Sequence, residues 1–333
     1  MAHPTPLQSL IGGFGIPIAA HELLLLNGNT FGISGFIHSA IRGGSEGTLG
    51  VAGLVLGGVL VGKLESAGPA SLPVTFSKVL VSGFLVGLGT KLANGCTSGH
   101  MICGISRFSI RSIVATVTFF VSAVLTTQIF HQSIPAIGTA NWSLTTSDTT
   151  LLALQLIPFS ISALLYALDL NDEKKLKSQG ATHEEISNPP HPNLRGGAYL
   201  VTGFQFALAL RLSNLSEASR VLAFLLLPFH RGFDPSLALV AGGALSVGIL
   251  LYHFARGSGN PRLGGKWSIP KGGKIDAKLL IGSTIFGVGW GLAGICPGPG
   301  LVNLGRALGA GVPSALAPYA AWIVTMVLGG LLV

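Results

Sequence analysis

GLGTKLANGCTSGH (residues 87–100) returns 200 residues later as GVGWGLAGICPGPG (residues 287–300). Five identities stand at that constant offset: Gly87 with Gly287, Gly89 with Gly289, Leu92 with Leu292, Ala93 with Ala293 and Cys96 with Cys296. Each copy follows an apolar run and ends in a cysteine among Gly, Pro, Ser or Thr. A helix that simply crosses a membrane needs no such break. Broken apolar segments at corresponding places in two halves are the best sequence pointer to a transporter's substrate site.

The surroundings are those of a membrane protein. Of 333 residues, 49% are hydrophobic and only 10% are charged, with mean hydropathy +0.64. Soluble domains carry about 25% charged residues. Many apolar runs approach the ~20 residues that cross a bilayer. The fold class expected is an all-α integral membrane protein: about nine transmembrane helices plus short re-entrant helices, in two pseudo-symmetric halves. The formal charge of +8 lies mostly between the apolar runs, as cytoplasmic loop charge does, so nucleic acid is not an expected partner. The 48 glycines suit close helix packing. The N-terminus, MAHPTPLQSL, has no basic leader region, so no cleaved signal peptide is expected. Three cysteines, two of them in Gly-rich apolar contexts, do not make a disulfide framework.

Residues 1–170 read as a first membrane repeat, 171–195 as a polar linker and 196–333 as a second repeat. Each repeat runs crossing, short broken element (27–42 and 213–228), crossing, broken element with cysteine (78–95 and 276–295), then return or crossing (302–312 is a short return element). The first repeat has an extra crossing at 149–170. Loops 171–195 and 256–278 hold most of the Lys and Arg, whereas 132–148 holds none. The positive-inside rule places the first two in the cytoplasm and the third outside. A cell membrane, plasma or bacterial inner, is the expected location. His21 and Glu22 lie inside the first crossing, where they are costly unless paired or close to the interface.

The broken motifs suggest an anion site. Gly95, Gly99, Gly294 and Gly298 let backbone approach a substrate closely. Thr97 and Ser98 add hydroxyls and, with Gly99, backbone N–H groups before a possible helix start. Pro297 fixes the second turn. Beside a bound anion, Cys96 and Cys296 are expected as neutral S–H donors, and soft sulfur suits a sulfur-containing anion better than phosphate. His100 completes the first motif. Cys103 has no partner in the second copy, and it and Arg107 are secondary candidates. Cys96, His100 and Cys103 also read as C-x3-H-x2-C, but no fourth ligand lies nearby and Gly300 replaces the histidine in the second copy, so no metal is assigned. No P-loop, dinucleotide fingerprint or Ser-His-Asp arrangement is present, and no cofactor is expected. A rival reading is a membrane-embedded sulfurtransferase that would form a persulfide on Cys96.

At GLGTKLANGCTSGHMICGISRFSIRS (residues 87–112) the chain resembles the YeeE/YedE family of sulfur-compound transporters. SNLSEASRVLAFL (213–225), FDPSLALVAGGAL (233–245) and IDAKLLIGSTIFGVGWGLAGICPGPGLVNLG (275–305) resemble that family's partner module. The resemblance implies a fusion of two half-length modules around an hourglass path. Thiosulfate or a similar small inorganic sulfur anion would pass central cysteines by S–H hydrogen bonds, and Cys96 and Cys296 match those thiols. Characterised thiosulfate importers have a further cysteine early in the chain; here none precedes Cys96. The family also implies a soluble cytoplasmic sulfur-carrier or sulfurtransferase as a possible partner.

Overall fold

The computed structural model describes residues 3–168, 191–257, 259–270 and 272–333. The chain is helical, and among the described residues extended pairing is limited to one bridge, Asn29 with Ser268. The first half contains α1 (Pro6–Asn27), the short α2 (Ile33–Ile41), α3 (Ser45–Glu65) and α4 (Phe76–Ala93). A π-helical turn (Ser98–Gly104) and α5 (Ile110–Phe130) follow. The extra crossing is α6 (Thr146–Leu154) and α7 (Leu156–Ala167), bent at Gln155. The second half repeats the order: α8 (Pro192–Leu212), the short α9 (Ala218–Leu225), α10 (Ser236–Leu250) with a π-helical end (Leu251–Ala255), α11 (Ala277–Ala293), α12 (Pro297–Ala310) and α13 (Pro313–Leu331).

Among the described residues, eight segments are long and apolar enough to cross a membrane, with α11 and α12 forming one broken segment. The 21-residue α8 is a further helix of crossing length; Arg195, Gln205 and Arg211 lower its hydropathy, and it is buried at the centre of the molecule. Residues 171–190 of the expected linker lie outside the described residues; residues 192–195 already form the first turn of α8, with Pro192 at its start. The return element differs from its sequence reading. It begins directly after Cys296 and runs 14 residues, because Pro297 and Pro299 are tolerated in a first helical turn.

The two halves interlock. α1 packs along α10 and α3 along α8, each pair taking one helix from each half. At the centre α4 runs antiparallel to α11. A Cβ on Gly89 would meet Phe286 N at 2.4 Å and Gly282 O at 2.7 Å; one on Gly289 would meet Ser82 O and Val86 N at 2.9 Å. The contacted residues are themselves 200 apart, so the same contact is made twice by a pseudo-twofold relation. Ser82 Oγ donates to Gly289 O across this contact at 2.7 Å. Outward faces are apolar: Val117, Leu125 and Ile129 on α5, and Leu156, Ile157 and Leu164 on α7, are exposed. Such an inside-out surface is the one a bilayer solvates.

The ends of α1 fix the polarity. The basic loop bonds its C-terminal end, with Arg262 N–H to Leu25 O at 2.9 Å and Leu263 N–H to Leu26 O at 2.8 Å. Loop 132–145 bonds its start, with Asn141 N–H to Pro4 O at 2.8 Å. The two loops therefore occupy opposite ends of the molecule. At the end away from the basic loop, Glu65 of α3 pairs with Arg211 (2.7 Å) and Arg306 (3.0 Å), and Arg306 also reaches Glu217 at 2.7 Å. Two acids and two arginines cancel, which removes much of the cost of burying them.

Candidate functional site

Both broken motifs leave their helix in the same way. Asn94 and Gly294, again 200 apart, cap α4 and α11 in the left-handed conformation, with φ 55° and 71°. Asn and Gly are the residues that adopt it cheaply. Gly95 N–H returns to Thr90 O at 2.9 Å and Gly294 N–H to Trp290 O at 2.7 Å. Each chain then turns inward and presents its cysteine.

Cys96 and Cys296 line one cavity between the two halves. Both are buried, at 1% and 5% exposure. Of the residues expected from sequence, Thr97, Ser98 and Gly298 join them there. Ser98 Oγ lies 3.3 Å from Cys96 Sγ and accepts the Ile33 N–H at 3.3 Å, so the start of α2 holds the serine in place. Thr97 lies beside Cys296 on the same cavity, so the two halves meet there. The remaining wall is apolar: Ile33, Met101, Ile102, Phe206, Leu210, Leu215 and Pro299. Apart from Pro299, expected from sequence to fix the second turn with Pro297, sequence reading missed these side chains. The signal for two of them was present, since Ile33 and Leu215 belong to the short elements noted at corresponding places in the halves. The cavity is about 20 Å³, room for roughly one water. A multi-atom anion needs it to widen.

After the cysteines the limbs diverge. Cys296 is the N-cap of α12, and Pro297 and Pro299 in the first turn have no N–H, so Gly298 is the donor left there. The first limb enters a π-helical turn after Thr97, with His100 N–H returning to Cys96 O at 2.8 Å. Its donor hydroxyls therefore have no counterpart opposite.

His100, Gly95 and Gly99 do not reach the cysteine cavity. They line a vestibule of about 730 Å³ that opens beside the basic loop. His100 is buried there, its ring held between Ser112 Oγ (3.2 Å) and Ala93 O (3.3 Å), so it clamps the turn to α4 and α5. Gly294 and Pro297 shape the second limb without lining the cavity. Lys91, Arg107, Arg111 and Lys274 line the vestibule against Glu46 and Asp276, giving it a cationic wall. Arg107 is fixed by its bonds to Cys103 O (2.8 Å) and Pro270 O (3.2 Å). Cys103 lies in a separate small cavity with His21 and Arg107, its Sγ 3.8 Å from Phe31 O. Cys96, His100 and Cys103 thus turn to three different neighbours, and among the described residues no His, Cys, Asp and Glu group is placed to hold a metal.

Comparison with known proteins agrees with this two-part layout. The family described as "Sulphur transport" matches residues 7–125, and a family of unknown function, DUF6691, matches residues 197–333. A "Probable transporter" of Xylella fastidiosa (strain Temecula1 / ATCC 700964) is 42% identical over 120 residues, which is 35% of this chain and 89% of that protein. A second "Probable transporter", from Xylella fastidiosa (strain 9a5c), is 38% identical over 119 residues, 36% of this chain and 81% of that protein. About a third of the chain therefore accounts for most of each relative. The chain is a multi-pass membrane protein of the YeeE/YedE type and belongs to the sulphur transport family, with two membrane modules on one polypeptide.

Proposed function

We propose that the chain passes thiosulfate, or a sulfur oxyanion of similar size, through the cysteine cavity. One observation carries the reading: two thiols from matched positions of the repeat line a single buried cavity between the halves. The cationic vestibule receives the anion at the basic-loop end, the cytoplasmic side by the positive-inside rule. In the cavity, Cys96 and Cys296 donate S–H hydrogen bonds in place of the anion's water, helped by Ser98 and Thr97. The apolar walls close behind it.

Burial of both thiols favours passage over sulfur hand-off, because a soluble carrier needs a reactive sulfur it can touch. A sulfur-carrier or sulfurtransferase fits this reading as a cytoplasmic acceptor of the anion. Uptake of labelled thiosulfate by proteoliposomes tests it. Loss of uptake in both Cys96→Ala and Cys296→Ala, with unchanged thermal unfolding, is the expected result. Wild-type uptake in both variants would sink the thiol-donor mechanism. A persulfide mass shift on Cys96 during turnover would favour the sulfurtransferase.

A further inference from the structure

Glu22 stands apart from the other described carboxyls of the molecule. Glu46, Glu65, Glu217 and Asp234 each meet an arginine. Asp148 closes a capping box and accepts from Gln8, and Asp276 caps α11. Glu22 lies within the crossing helix α1 and makes no ion pair among the described residues. Its Oε1 accepts from Gln205 Nε2 of α8 at 3.1 Å. Its Oε2 is buried with no hydrogen-bond partner, and so is Gln205 Oε1. Ser162 of α7, 3% exposed, lies near the same carboxyl, and its hydroxyl is also buried without a hydrogen-bond partner.

This arrangement serves two states. The ionised carboxylate has one neutral donor, Gln205, with the unpartnered Ser162 hydroxyl nearby, but no cation. The protonated acid has an O–H to give, and a turn of the Gln205 amide would present its unpartnered Oε1 as the acceptor. An ionisable residue held this way inside a membrane segment is by default a candidate functional site.

Its position connects it to the path. Gln205 is followed on α8 by Phe206, which walls the cysteine cavity with Leu210. α1 carries Pro17 inside the helix, ahead of Glu22, and such a proline removes a backbone bond and permits bending. The titratable neighbours are engaged elsewhere or set apart. On α8, Tyr199 bonds Asn29 and Arg195 pairs with Glu46, while Arg211 pairs with Glu65 at the far end. On α7, Tyr166 lies under the Arg262 guanidinium. His21 of α1 turns to the Cys103 cavity, and Arg256, after the π-helical end of α10, lies near His21 and over Tyr252 and Trp267.

We propose that Glu22 is a proton-carrying site that couples entry of the anion to entry of protons. The inference rests on the transport reading above. A dianion entering an inside-negative compartment moves against the membrane potential, and each accompanying proton cancels one charge. A proton taken from water on the outer side binds Oε2 and leaves to water on the basic-loop side; no bond other than O–H is made or broken.

The test uses the full chain in proteoliposomes with labelled thiosulfate and an entrapped pH dye. Wild-type protein should acidify the lumen as thiosulfate enters. Each unit of inward proton gradient should raise steady-state accumulation about tenfold per proton carried. Glu22→Gln should abolish both the acidification and the gradient response. Glu22→Asp, which keeps a carboxyl, should retain acidification with a displaced pH midpoint, and it serves if the glutamine variant does not fold. Thiosulfate entry by the wild type without protons, or wild-type acidification by Glu22→Gln, would overturn the proposal and leave the transport reading standing. Absence of wild-type thiosulfate exchange at equal pH would instead remove the transport reading.

Discussion

The limbs after Cys96 and Cys296 start alike and end differently. Both leave an antiparallel central helix through a left-handed cap, and both bring a thiol to one cavity. Then the first limb becomes a seven-residue π-helical turn with hydroxyls at its start, whereas the second becomes a 14-residue α-helix opened by two prolines. The repeat fixes where the thiols stand, and the sequence after each thiol fixes what stands beside it. The first limb is built to donate hydrogen bonds. The second is built to hold its backbone still, since proline presets φ and surrenders the N–H.

The largest effect expected from breaking this comparison is at the shared part. Gly89→Leu or Gly289→Leu drives a side chain into backbone across the central contact, so either should lower stability by more than the ~1–3 kcal/mol usual for overpacking, seen as a sharp drop in unfolding temperature. Thermal unfolding in detergent reads this, and similar losses in the two variants would sharpen the pseudo-twofold relation. Next come the thiols. Cys96→Ala should cost at least about tenfold in thiosulfate uptake, equivalent to about 1.4 kcal/mol, and Cys296→Ala should cost less, because fewer donors surround it. A larger loss at Cys296 would reverse the assignment of the donor limb. Ser98→Ala should cost about fivefold, the worth of roughly 1 kcal/mol for one hydrogen bond, seen as a raised half-saturating concentration. Smallest is Pro299→Ala. It returns one N–H to the second limb and should shift half-saturation downward by about twofold, on the scale of a few tenths of a kcal/mol for an exposed helix-end contact with an anion. A larger gain would mean that the prolines tune affinity rather than shape.

Much of the plan was legible because it is written along the chain. The offset of 200, the two short elements, the extra crossing and the paired cysteines are all local patterns. Expectations failed where two distant segments decide the outcome. His100 belongs to the first motif by sequence but is captured by Ser112 and Ala93, and so faces the vestibule. The return helix starts at Pro297 because proline, which usually ends a helix, here begins one. The apolar wall of Phe206 and Leu210 comes from a helix whose charges lower its hydropathy. Glu65 and Arg306 meet across 241 positions, a distance no periodicity encodes. Prolines at the second site also carry a cost not visible in the motif itself: they are harmless to the helix and still remove donors from the cavity.

The size of the cysteine cavity has an electrical consequence. A wire of hydrogen-bonded waters conducts protons, and a continuous wet pore would discharge the membrane that surrounds it. At about 20 Å³, walled by Ile33, Phe206 and Leu210, the cavity breaks that wire to a single molecule. Dry hydrophobic constrictions block ions by dewetting. On the transport reading proposed above, a cavity of this size keeps the resting path closed to ions, and the anion's contacts with the thiols would be what opens it.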